Sequence, residues 1–445
     1  MKQPIVTILC RQSAVAALVL GLSLPLTRAQ DAPPTNTVAS AAVATTLDAL
    51  VTEALEKNLE LKFYTAEIAA AKAGRKTAGQ LGNPEVSGGV GQKRVSSPGL
   101  SDEGIAWSVS VVQPLEWPGR IGLRKAIANR DIELAQLGYE RFKVALAGRV
   151  RTLAYGLFAA QEKAAASGEV AERFKALREV LVQRDPAGLT PLLETRVIEA
   201  TELNAQRKAS EAMLATQAAL LELNLLRGVA PETRLVVGQA QLSFRPPEER
   251  MSLLSLAQTN NFELRMRAVE LAQQGFRVKL AKNERYSSLS VGPEYSEEKV
   301  GNDREQIIGV SVSMSLPLWD RNTGNIEAAK ARQMQAEVSL NVTERDIQRQ
   351  VLAAALTYET KLREMAKWRP DSVQHFKEAA ELADRHYRLG AVPISIYVEL
   401  QQQYLDAVDG LLETKRETLE AAAQLELLTG LPLPLAKTSA PEEAK

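Results

Sequence analysis

The sequence predicts a mainly α-helical chain with four β-strands, built from one unit used twice. Three observations predict it. First, the chain repeats itself at a spacing of about 203 residues, and a fixed internal period marks a repeated architecture. Trp107-Ser108-Val109-Ser110-Val111-Val112-Gln113-Pro114-Leu115 falls on Val310-Ser311-Val312-Ser313-Met314-Ser315-Leu316-Pro317-Leu318. Gly188 and Pro191 fall on Gly390 and Pro393, and Gly228 falls on Gly430. Second, long stretches rich in Ala, Leu, Glu, Gln and Arg carry apolar residues at helical spacing. Third, four short segments switch to the period of two that belongs to strands.

Composition narrows the class. Aromatic residues make up only 5% of the chain, low for the two or three compact domains this length would suggest. The 54 basic and 54 acidic residues cancel. That argues against nucleic acid as a partner, which would favour a basic stripe.

The N-terminus reads as a secretory signal. Lys2 and Arg11 precede an apolar run from Ala14 to Leu26, and Thr27-Arg28-Ala29 supplies small residues for cleavage after Ala29. The run is too short for a comfortable membrane span, which needs about 20 apolar residues. Residues 1–29 are therefore assigned to the signal, and the Ala-, Thr- and Pro-rich residues 30–46 to a flexible leader. The single cysteine, Cys10, precedes the apolar core, whereas a lipidated cysteine would follow it. A mature chain without cysteine has no disulfide and no thiolate chemistry. No later apolar run reaches the length of a spanning helix, so membrane residence would require a β-barrel.

The first repeat occupies residues 47–230. It opens on a helix at Leu47-Asp48-Ala49-Leu50 and continues into a strand pair within 84–115, roughly 84–95 and 104–115. Trp107, Val109 and Val111 would share one face, and Ser108 and Ser110 the other. Ser96-Ser97-Pro98-Gly99 reads as the loop between the strands. From Gly119 to Asp185 there is no proline, and a helix of that length would span roughly 100 Å. Leu146, Val150, Leu153 and Leu157 step by 4, 3 and 4, as do Leu214, Ala218, Leu221 and Leu225 in the returning helix. Glycines 138, 148, 156 and 168 each weaken the long helix by up to about 1 kcal/mol against alanine. Packing must compensate, or the helix breaks. A tip turn at 184–191 joins the two helices, glycine serving the turn and proline the next helix's first turn.

A linker, 231–250, leads to the second repeat, 251–432. Its strand pair lies within 286–318, roughly 286–297 and 305–318, joined by Gly301-Asn302-Asp303. Ile347, Val351, Ala354 and Tyr358 repeat the heptad steps, and Val398, Leu405, Val408, Leu412 and Leu419 continue them. A break is expected at Pro370, which aligns with Ser167 and removes a helical hydrogen bond. The second tip turn is 387–393 and the tail is 433–445, frayed from Thr438 onward.

Taken alone, the strands leave two readings open: hairpins in a soluble α+β domain, or strands of a membrane β-barrel. Strand length and apolar-against-small-polar alternation fit a barrel. Trp117, Tyr286, Tyr295 and Trp319 lie near strand ends, where interfacial aromatics belong. Four strands cannot close a barrel, and open edges are forbidden in lipid. Several chains must then share one barrel. Three would give twelve strands, an even number wide enough for an aqueous lumen. Oligomerisation follows from this argument; the number three does not.

No catalytic signature is present: no Walker loop, no dinucleotide glycine motif, no nucleophile elbow. His375 and His386 would sit about 16 Å apart on one helix, too far to share a metal. No enzyme activity, cofactor or metal site is expected.

At this point the chain resembles the TolC family of outer-membrane efflux channels, over nearly its whole mature length. The resemblance rests on the duplication and on Asn83-Pro84-Glu85-Val86 entering the first strand. It rests also on Gln113-Pro114-Leu115-Glu116-Trp117-Pro118-Gly119-Arg120 leaving the second, and on the Gly188-Leu189 and Gly390-Ala391 turns. It implies a homotrimer whose twelve-stranded barrel is completed by trimerisation and sits in outer-membrane lipid above a periplasmic helical tunnel. It implies that a periplasmic adaptor docks at the tips Gly188, Leu189, Gly390 and Ala391. That adaptor would couple the channel to an inner-membrane pump, with the proton-driven resistance-nodulation-division type as candidate. Ser108, Ser110, Ser311 and Ser313 would then face the barrel lumen. Family members close the tunnel just past the tip glycine, often with acidic rings. Glu194 and Glu399 match such positions, while Ile396 stands where a second acidic residue would complete a double ring. A carboxylate repeated around an axis attracts cations and repels anions. Arg385 and Arg388 are candidates to lock the closed state by ion pairing.

The segment from Gln113 to Arg124 is most similar to outer-membrane subunits of heavy-metal efflux systems. The competing reading is a periplasmic coiled-coil scaffold or adaptor without a channel. An adaptor would carry one helical hairpin and small β domains, whereas this chain carries two hairpins and two strand pairs.

Overall fold

The computed structural model describes residues 45–97, 100–184, 192–238, 241–300, 302–369, 371–433 and 435–439. The residues assigned above to the signal, most of those assigned to the leader, Gly188 and Leu189 of the expected tip, and Pro370 lie outside the described residues.

Each copy opens with two short helices meeting at an asparagine. α1 (Leu47–Lys57) and α2 (Leu59–Ala78) meet at Asn58; α5 (Arg250–Asn260) and α6 (Phe262–Asn283) meet at Asn261. Each asparagine caps the second helix, as short polar side chains do at an N-cap. Asn58 Oδ1 accepts from the Glu60 N–H at 2.8 Å, and Asn261 Oδ1 from the Leu264 N–H at 3.0 Å.

The strands follow. β1 (Glu85–Ser97) and β2 (Leu100–Leu115) form one antiparallel hairpin; β4 (Leu289–Val300) and β5 (Asp303–Met314) form the other. The hairpins merge through β2 and β4 into one sheet ordered β1-β2-β4-β5. Strands extend further toward the hairpin turns than the sequence predicts. β5 stops at Met314 rather than 318, ahead of Pro317, which has no N–H for a ladder.

Below the sheet run the long helices. α3 (Arg120–Arg184) is unbroken over 65 residues, about 98 Å, and α4 (Leu192–Arg227) returns along it. In the second copy the outgoing helix divides as expected into α7 (Thr323–Met365) and α8 (Ser372–Arg388), and α9 (Ile394–Thr429) returns. The four glycines do not break α3. At Gly148 a Cβ would stand 3.2 Å from the Ala423 Cβ, so glycine there admits close approach by α9. α3 packs on α2, α4, α6 and α9, and its apolar stripe Leu146, Val150, Tyr155 and Leu157 is buried. Ile347, Val351, Ala354 and Tyr358 are buried likewise, with Val408, Leu412 and Leu419 of α9.

One expectation needs correction, and one helical stripe lies uncovered among the described residues. The stripe Leu214, Leu221 and Leu225 does not pack inside the chain: these side chains are 67%, 47% and 74% exposed. The periodicity is real, but the face points away from α3. Met334, Val338 and Val342 on α7 are exposed in the same way. The linker and tail are also not wholly irregular. β3 (Gln241–Phe244) and β6 (Ala436–Ser439) pair antiparallel, placing Thr438 and Ser439 in a ladder rather than a frayed end. The Tyr358 hydroxyl lies 2.7 Å and 3.1 Å from the Arg245 and Leu435 carbonyls beside this ladder. Burial pushes its pKa up to about 12. Tyr155, its counterpart in the first copy, is fully buried with an unpartnered hydroxyl.

Candidate functional site

The sheet has two chemically distinct faces, and the ladder register defines them. Ser110 pairs with Ser87 and Glu294, Ser108 with Gly89 and Ser296, and Ser311 with Gly292. Directly paired residues share a face, so Ser108, Ser110, Ser311 and Ser313 stand together among small and charged residues. The Ser87 and Ser110 hydroxyls are 2.7 Å apart. On the other face stand Val86, Trp107, Val109, Val111, Ile308 and Val310, all substantially exposed. From Leu115 to Trp107 this apolar face runs eight residues, about 27 Å along the strand. At a strand tilt of about 40° that projects to roughly 21 Å, comparable to the roughly 25 Å band of a membrane barrel. β1 and β5 are the sheet's edges.

A compact junction ties sheet to helices. Arg120 Nε donates to Asn283 Oδ1 at 3.1 Å and its Nη2 to the Asn283 carbonyl at 3.2 Å. Asn283 Nδ2 donates in turn to the Pro118 carbonyl at 3.0 Å. Trp117 stacks on Tyr286 with ring centroids 4.8 Å apart. Gly119 (φ 87°) and Asn322 (φ 57°) both take the left-handed conformation where the chain turns into a long helix. Glycine and asparagine are the residues that tolerate it.

At the far end, α8 closes with a Schellman turn. The Ala391 N–H donates to the His386 carbonyl and the Gly390 N–H to the Tyr387 carbonyl, both at 2.9 Å. Gly390 supplies the positive φ of 74°. Pro393 stands at the N-cap of α9, one residue earlier than the first helical turn. Glu194 is half-buried in the first turn of α4, and Glu399 is exposed, accepting from Gln403 Nε2 at 2.8 Å. Arg388 pairs with Asp384 of its own helix at 2.9 Å. Arg385 is exposed and forms no side-chain ion pair with the described residues. Within the described chain no hydrogen bond or ion pair joins these four residues to one another.

With this geometry in view, the model of the outer membrane efflux protein family matches residues 50–229 and 253–431, the two copies in turn. The chain belongs to the outer membrane efflux protein family. The cobalt-zinc-cadmium resistance protein CzcC of Cupriavidus metallidurans is 26% identical over 291 residues, 64% of this chain and 66% of CzcC. The chain thus spans just under two thirds of that relative. The CmeC outer membrane channel of Campylobacter jejuni superposes with a TM-score of 0.69 at 16% identity, covering 92% of this chain and 94% of CmeC. The open-state MtrE outer membrane channel of Neisseria gonorrhoeae gives 0.66 at 16% identity, covering 87% and 89%. At these identities the likeness is one of fold.

Several residues that organise the family fold here carry no sequence signal of their own. Arg173 of α3 reaches both Glu381 of α8 and Gln401 of α9, each at 3.4 Å, and so links three helices. Phe174 and Tyr387 both pack on Tyr397, with ring centroids 5.3 Å away. Leu389 at the tip is 81% exposed. Lys415 lines a cavity of about 370 Å³ between α3, α8 and α9, and burial holds its ammonium below the usual lysine range. Among the described residues no group of three His, Cys, Asp or Glu is placed to hold a metal, and no helix is long and apolar enough to cross a membrane.

Proposed function

We propose that this chain is the outer-membrane conduit of an efflux system, with three copies closing one twelve-stranded barrel over a helical tunnel. One observation carries the reading. A four-stranded sheet, apolar on one face and small or polar on the other, has two edges that lipid would not tolerate unpaired. Joining β5 of one copy to β1 of the next removes every edge. The same contact would cover the apolar stripes left exposed on α4 and α7. Ser108, Ser110, Ser311 and Ser313 then line the lumen, and the valines with Trp107 meet outer-membrane lipid.

The conduit performs no chemistry; a partner drives it. The helical tips Gly188, Leu189, Gly390 and Ala391, with the exposed Leu389, are the docking points for a periplasmic adaptor. That adaptor connects to an inner-membrane pump, of the proton-driven resistance-nodulation-division type in this reading. Glu194 and Glu399, repeated around the axis, form the cation-attracting aperture, and Arg385 and Arg388 act on its closed state. The likeness to CzcC supports heavy-metal cations as cargo.

Membrane fractionation with sizing of the detergent-extracted protein tests the assembly. A trimer in the outer membrane is the expected outcome, and a soluble periplasmic monomer would leave the coiled-coil scaffold reading in its place. A deletion strain should become sensitive to cobalt, zinc or cadmium rather than to dyes. Dye sensitivity alone would remove metals from the cargo.

A further inference from the structure

The ladder places two cations side by side at the hairpin ends. Lys299 on β4 and Arg304 on β5 are direct partners, so both side chains leave the same face. Such partners have Cβ atoms about 5 Å apart, and like charges directly opposite repel. Arg304 is offset by Glu297 at 2.6 Å. Lys299 is exposed, and its ammonium makes no ion pair or hydrogen bond with any described residue. Glu298, its neighbour in sequence, lies on the opposite face and pairs there with Lys93.

Charge is sorted across this end of the sheet. The face of Lys299 also carries Arg94 and Arg304, against Glu103 and Glu297. The opposite face carries Lys93 against Asp102, Glu298, Asp303 and Glu305. The cationic excess therefore lies on the apolar, outward face. Trp107 and Tyr295, with ring centroids 5.2 Å apart, mark the end of the apolar band. Lys299 and Arg304 stand two residues past Trp107, level with Ile105, or about 7 Å further along the strand.

We propose that Lys299 and Arg304 bind the phosphate of an anionic lipid headgroup in the leaflet where the hairpin turns emerge. The inference rests on the membrane placement of the sheet argued above. The phosphate would relieve the repulsion between the two cations, taking the Lys299 ammonium and those guanidinium N–H groups of Arg304 that Glu297 leaves free. Ile105 and Trp107 provide the apolar shelf on which the lipid's acyl chains lie. That shelf distinguishes a lipid from free phosphate.

The test uses the full-length protein extracted in mild detergent and titrated with a bis-phosphorylated glucosamine lipid or its dephosphorylated counterpart, with bound lipid counted by native mass spectrometry. The wild type should retain the phosphorylated lipid roughly tenfold better, and Lys299→Glu should abolish that preference. Lys299→Gln carries the same test should charge reversal prevent folding. Equal retention of the two lipids, or an unchanged preference in Lys299→Gln, overturns the site. Full displacement of the lipid by excess inorganic phosphate would reassign the site to the free anion and overturn the lipid. Flotation with phosphatidylethanolamine vesicles separates the premise from the inference. A chain that fails to float with them refutes membrane placement, whereas one that floats without lipid preference refutes only the headgroup site.

Discussion

Asn58 and Asn261 hold equivalent joints 203 positions apart. Asn58 Nδ2 donates to the Leu226 carbonyl at 2.9 Å, and Asn261 Nδ2 to the Leu428 carbonyl at 2.7 Å. Each fastens the end of the returning helix of its copy to the start of that copy's second helix. Both side chains are buried, so alanine removes a cap and leaves a carbonyl without its donor. Asn58→Ala and Asn261→Ala should each lower stability by about 1–3 kcal/mol, and the two losses should add because the joints share no partner. Denaturant unfolding of the single and double variants checks this; strong non-additivity would mean that the copies are not independent here.

The same joints explain two glycines. Gly228 and Gly430 take positive φ, and a Cβ would stand 2.6 Å from the Lys57 carbonyl oxygen or 2.2 Å from that of Asn260. Gly390 also has positive φ, but a Cβ there meets open space. Gly390→Ala should cost only the left-handed penalty, about 1–2 kcal/mol. Gly430→Ala should cost clearly more, because backbone must move. Comparison of melting temperatures in one detergent decides it, and equal losses would remove the steric term.

Glu426 gives the pH dependence. Burial raises its pKa, and Arg151 at 3.8 Å only partly offsets that. The folded state therefore holds the proton more tightly than the unfolded chain. Stability from this group is fully present below the ordinary carboxylate value of 4.5 and is lost as pH rises through the higher folded value. In the first copy the equivalent position is Asn224, which donates without charge to the Pro231 and Thr233 carbonyls. Glu426→Gln should stabilise the protein at neutral pH and flatten its pH profile in the weakly acidic range. A profile identical to the wild type would clear Glu426 of the effect.

The two sheet faces predict opposite responses to one substitution. Val310→Lys places a charge on the apolar face and should oppose membrane insertion by about 2–4 kcal/mol. Ser311→Lys, the next residue, points the other way and should leave assembly intact while shifting conductance toward anions. Outer-membrane yield and single-channel recording read the two effects. Equal loss of assembly in both variants would contradict the face assignment.

Much of this was legible in the sequence for one reason: helical and strand periods report the burial of a residue's own neighbours. The duplication, the 65-residue helix and the break near Pro370 follow from spacing and from proline. Leu214, Leu221 and Leu225 mark where that logic ends. Their spacing announces a packed seam, but no described element of the same chain covers it. β3 and β6 were hidden because four-residue strands such as Ala436-Lys437-Thr438-Ser439 carry too little pattern to stand out. Their pairing depends on chain segments nearly two hundred residues apart. Arg388 shows why a gate resists such reading. Its sequence position permits many partners, and packing gives it Asp384.

The proposed aperture residues give the last prediction. Glu399 is exposed and, among the described residues, held only by Gln403, so its loss should not harm folding. Glu399→Ala should reduce preference for cations over anions in single-channel recordings. Unchanged selectivity in Glu399→Ala and in Glu194→Ala would move the aperture elsewhere.

The ladder between β3 and β6 has a consequence for biosynthesis. β3 is synthesised before α5 to α9, and β6 after them. A growing polypeptide can complete every long helix before this buckle can close. Closure also supplies one of the two carbonyls beside the buried Tyr358 hydroxyl, that of Leu435. A polypeptide halted before Ala436 would hold both hairpins, yet β3 would lack its partner strand. Pairing of β3 therefore reports that synthesis has passed Ser439.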